Sequence, residues 1–120
     1  MRAHARGLYH AEAAVELLIG HQRWLGRDEF VRRFAWVDRA MLGDRFLAGV
    51  DWPAAVEALA AGRLPCSGSE GCVLRIAASI AAGVPVDLSG LSMLDKVNID
   101  LVVEAVLHAN GQRGAGGATR

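Results

Sequence analysis

The chain has 120 residues, enough for one hydrophobic core and too few for two. Thirteen basic and thirteen acidic side chains cancel, so no overall field draws the protein toward nucleic acid or an anionic membrane. Apolar residues make up 52% of the chain and the mean hydropathy is +0.24, which leads us to expect some surplus apolar surface for a partner.

Two cysteines do not make a disulfide framework in a protein of this size, and both are expected to be reduced. Residues 1–7 carry charge, but Glu12 and Glu16 break the stretch that follows, which argues against a secretory signal. The longest apolar run, Ile76 to Val86, contains Gly83 and Pro85 and falls far short of the roughly 20 residues of a membrane span. A cytoplasmic protein without membrane contact is expected. Arg supplies every basic group except Lys96, and with the Ala and Gly content this suggests a bacterial gene of high GC content.

Periodicity and glycine stops divide residues 1–112 into five helices of one all-α domain. The first runs from about Leu8 to Ile19 and is expected to stop near Gly20. Asp28 is the candidate cap of a second, on which Phe30, Phe34, Val37 and Met41 recur at helical spacing before Gly43. Asp51, with Pro53 in the first turn and Gly62 as the stop, defines a third. Ser67-Gly68-Ser69-Glu70 has the form of a capping box for a fourth helix closing at Gly83. The fifth starts between Ser92 and Asp95 and ends at Asn110-Gly111. Only Val84 to Leu88 reads as extended, and the Gly-rich tail 113–120 is expected to be disordered.

The fourth helix is apolar nearly all round, with Arg75 and Ser79 as its one polar strip, and so belongs in the middle of a bundle of four to six short helices. On the fifth, Lys96, Asp100, Glu104 and His108 share an i, i+4 column that reads as a solvated edge. Its apolar residues, Val103 and Leu107 among them, spread over more than half the circumference. A second subunit is expected to cover part of them, so a homodimer or a protein partner is the leading reading.

No residue pattern specifies a reaction or a substrate. Cys66 and Cys72 lack the short Cys-x-x-Cys spacing of structural zinc, although the start of a helix is a place where a thiolate at Cys66 is favoured. The 67–71 turn lacks the Gly-Lys-Ser/Thr ending of a nucleotide loop, and the capping box accounts for the same residues. His10 and His21 would lie about 16 Å apart on a continuous helix, too far to share a metal. No metal or cofactor is expected. An inter-helix pocket using His10, His21, Cys66 or His108 remains a further reading, as a small-molecule binder or enzyme.

The most suggestive surface is the segment Arg23 to Trp36. Six of the seven aromatic residues lie between Trp24 and Trp52. On a helical wheel Trp36 leaves the apolar face and joins Arg32, Arg33 and Ala40, the composition of a protein-binding hot spot. Trp24 and Trp52 read as core anchors. Arg23, Arg27, Arg32, Arg33 and Arg39 together offer an alternative contact with nucleic-acid phosphates, diluted by Asp28, Glu29 and Asp38. The function expected is a small non-enzymatic interaction or regulatory protein acting by self-association or docking.

Overall fold

In the computed structural model, which describes residues 2–39 and 45–112 and the side chains of 9–36 and 49–112, a helix buried over much of its length lies at the centre. This is α4 (Gly68–Ala82). Its Val73, Leu74, Ala77 and Ala78 are fully buried. Helices α1 (Arg2–His21), α3 (Trp52–Ala60) and α5 (Lys96–Ala109), with a 3-10 helix at Leu88–Met93, pack against it. The all-α class is as expected. The tail 113–120 and Ala40, Met41 and Gly43 lie outside the described residues.

Local chemistry sets most helix ends where the sequence places them. The Ser67 hydroxyl accepts the Glu70 N–H at 3.2 Å, and the Glu70 carboxylate accepts the Ser67 N–H at 3.0 Å, the reciprocal pair of a capping box. At the other end of α4, Gly83 takes a left-handed φ of 72°, which a side chain would resist. Asp51 caps α3 by accepting the Ala54 N–H, and Asp95 caps α5 by accepting the Asn98 N–H.

Helix α1 departs from the expected boundary. It passes through Gly20 to His21, and Gln22 ends it at φ 70°. Gly20 serves packing here, because a β-carbon at that position would lie 2.9 Å from Leu101 Cδ2 of α5. The glycine lets α5 approach α1 closely, so its absent side chain matters more than its freedom to turn.

The second helix differs more. Helix α2 (Asp28–Phe34) is preceded by Arg27 as its capping position, with no side-chain cap, and it ends where Ala35 turns to extended backbone. Residues 35–39 form strand β1 (Ala35–Arg39), paired antiparallel with β2 (Arg45–Val50). Over so short an apolar run helical and strand spacing are indistinguishable, and pairing with 45–50 decides the outcome. The register slips between Trp36 and Val37, which face Gly49 and Leu47, so Ala48 is an unmatched bulge residue. Val84 to Asp87 belongs to no strand, and Leu88 already begins the 3-10 helix.

One buried residue ties these parts together. Trp24 is fully buried, its ring 5.3 Å from that of Phe30 on α2, and its indole N–H donates to the Glu70 carbonyl of α4 at 2.9 Å. Arg27 lies 4.4 Å over the same indole and donates to the Pro65 carbonyl at 2.8 Å and to the Glu70 carboxylate at 3.3 Å. Glu70→Ala removes half of the capping box and the Arg27 partner together. It is expected to cost about 1–2 kcal/mol, read as a lower urea midpoint with unchanged slope; an unaltered midpoint would show that the junction is not holding α4.

Candidate functional site

Three surfaces stand out among the described residues once the core is complete, and the first is a cleft at the start of α4. Gly68, Gly71, Cys72 and Arg75 fall at i, i+3, i+4 and i+7 on one side of the helix, and all line this cleft of about 600 Å³. The polar strip legible in the sequence at Arg75 is therefore part of its floor. Leu59, Leu64 and Cys66 form one wall, and Val86, Asp87, Ser89 and Met93 the other. The sequence offers Cys66, the 67–71 turn and the Arg75 strip as separate features; the overlooked signal is that the two glycines and the arginine share one face of the helix.

Both thiols line this cleft, and both are free. Partial burial pushes the Cys66 thiol up, and the nearby Glu70 carboxylate adds to it, against Arg27, Arg75 and the Gly71 N–H. Burial likewise pushes up Cys72, with Arg75 opposing. The expected help of the helix start toward a Cys66 thiolate is thus outweighed by burial and Glu70. Neither thiol is poised as a nucleophile at neutral pH.

The second surface is the α2–β1 junction. Trp36 is 58% exposed, but it stands on a strand and not on the helix that the wheel assumed. Its ring covers Gly49 across the ribbon, where a β-carbon would come within 3.2 Å of Cε3. Arg32 and Arg33 are exposed on α2; Arg33 pairs with Glu29 at 2.8 Å and lies 5.1 Å over the Phe34 ring. Ala40 is outside the described residues, and Arg39 is described in its backbone alone, opposite Arg45 in the ribbon. Of the five arginines considered for phosphate contact, Arg27 is committed to Trp24, Pro65 and Glu70, while Arg23 and Arg32 are exposed.

The third surface is α5. Val97, Val103 and Val106 are 67%, 50% and 52% exposed, and Leu107 is half-buried beside them. Lys96 pairs with Asp100 at 2.9 Å on the flank, and Glu104 is exposed. His108 does not complete this solvated edge. Each i, i+4 step advances the column by about 40°, so by His108 it has rotated into the α1 interface. There His108 is buried, with Nε2 3.2 Å from Glu12 and Nδ1 3.5 Å from Glu16.

His10 and His21, the other histidines with described side chains, stay apart. His10 is exposed, and His21 lies eleven residues further along the same helix, buried. Among the described residues no three His, Cys, Asp or Glu side chains gather as a metal cluster, and no helix is long and apolar enough to cross a membrane.

His21 carries a pH dependence instead. Its Nδ1 has no hydrogen-bond partner among the described residues. Burial holds its pKa below the usual value, aided by Arg23 and opposed by Glu70 and Asp95. The fold therefore prefers neutral imidazole, and the unfolded chain takes up a proton first as pH falls below about 6.5. Stability from this group is fully present above that pH and declines below it. His21→Leu is expected to flatten the fall in urea midpoint between about pH 7 and 5; an unchanged slope would assign it to other groups. Set beside known proteins, the chain matches no family model, no curated protein and no solved structure.

Proposed function

We infer that this chain acts by binding, as a small interaction protein that pairs with a second copy of itself through the outward face of α5. The observation carrying this reading is the half-exposed pair Val103 and Val106, with Leu107 beside them, at the i, i+3, i+4 spacing of a helix-packing stripe. The opposite side of the same helix is packed on α1 and α4. An isolated exposed valine needs no explanation, but a contiguous stripe on one helix marks a contact surface.

A second copy is the occupant that best suits the charge. The chain is neutral overall, so two copies meet without long-range repulsion. A two-fold pair also uses one patch twice, which a single straight helix supplies. The Trp36, Arg32 and Arg33 face lies on different elements and stays outward in such a pair, available to a protein partner. In this reading the protein works in the cytoplasm, where its two thiols remain reduced.

Sedimentation equilibrium over a hundredfold concentration range tests the pairing. We expect the native chain to sediment as a dimer and Val106→Glu as a monomer, with the helical circular dichroism of both alike. At an exposed site the substitution should change stability by no more than about 0.5 kcal/mol. Trp36→Ala is expected to leave the dimer intact. A native monomer at every concentration removes the reading, and a dimer broken by Trp36→Ala but not by Val106→Glu moves the interface to the ribbon.

A further inference from the structure

We propose that the cleft at the start of α4 binds a small organic monoanion with an apolar body, whose acid group is held by Arg75. This inference stands apart from the pairing through α5, which involves a different face.

The size and the walls come first. About 600 Å³ lies within the roughly 300–1,000 Å³ of small-molecule sites, which are mostly apolar with a few placed polar groups. Leu59, Leu64, Val86 and Met93 supply apolar wall on both sides. Glycine lets the lining side chains rest directly on the helix: a β-carbon at residue 68 would meet Met93 Sδ at 2.5 Å, and one at residue 71 would touch Cys66 Sγ at 3.4 Å.

The charge decides the ligand class. Arg75 is half-buried on the floor, and among the described residues it makes no hydrogen bond or ion pair. A guanidinium removed from part of its water and given no carboxylate gains most from an anion with oxygens arranged for bidentate contact. Its field already reaches both thiols in the cleft. Among the described residues the one carboxylate lining the space is Asp87, which is exposed and accepts the Ser89 N–H. Its negative charge disfavours a second charge on the ligand, so a monoanion fits better than a dianion.

The class is tested with decanoate against decanol, which share an apolar chain and differ in the acid group. Isothermal titration of the full chain should show decanoate binding about tenfold tighter. Arg75→Gln should bring the two affinities together, and Arg75→Lys should keep part of the preference. Arg75 has no partner to lose, so both variants should fold, checked by circular dichroism. Decanoate should also slow alkylation of Cys66 by iodoacetamide, which places the ligand in the cleft. Equal affinity for acid and alcohol, a preference that survives Arg75→Gln, alkylation of Cys66 unaffected by saturating decanoate, or no decanoate binding would each overturn the proposal.

Discussion

The hydrogen bond from the Trp24 indole to the Glu70 carbonyl is the constraint on which the arrangement of this protein turns. A fully buried indole N–H must find an acceptor, and the one available to Trp24 is on α4. Once it is made, the connection between α1 and α2 lies against the start of the central helix. Arg27 then closes the same junction from outside, stacked on the indole and bonded to Pro65 and Glu70. Glu70 meanwhile caps α4 through Ser67. Trp24, Arg27 and Glu70 thereby bring together two stretches of chain, 24–27 and 65–70, whose bonded residues are 38 to 46 apart in sequence.

The functional surfaces follow from what this junction leaves uncovered. The α1–α2 connection occupies one side of the α4 start, while the cleft is lined by residues 59–66 and 85–93 together with α4 itself. Helix α2 is placed with Phe30 and Phe34 inward, so the chain leaving it at Ala35 carries Trp36 outward onto the ribbon. At the far side, Leu101 seats α5 on Gly20, which commits one side of α5 to α1 and turns Val103 and Val106 away. The surplus hydropathy of the chain thus resides in definite places.

Much of the helical framework was legible because it is written in local chemistry. Asp51, Ser67 with Glu70, Gly83 and Asp95 act within a few residues of themselves, and their roles need no tertiary information. The central position of α4 was equally readable, since a helix apolar all round has only one place to go. What could not be read depended on distant partners. Val37 reads as helical because its strand partner lies ten residues on, at Leu47. Gly20 looked like a stop because its true neighbour, Leu101, is on another helix. His108 looked solvated because its carboxylate partners are 92 and 96 residues away, on α1. The cleft was missed for the same reason: its floor is one helix face, but its second wall arrives from the 84–93 segment.

The claim that Trp24 is locked to α4 while Trp36 stands outside the core is tested most directly by hydrogen exchange of the indole N–H protons, followed by nuclear magnetic resonance. The Trp24 proton should exchange only through global unfolding, at a rate set by the stability of the whole domain, and the Trp36 proton should be lost before the first spectrum. A Trp24 proton that exchanged as fast as that of Trp36 would contradict it, because the junction between α1, α2 and α4 would then be opening without the fold.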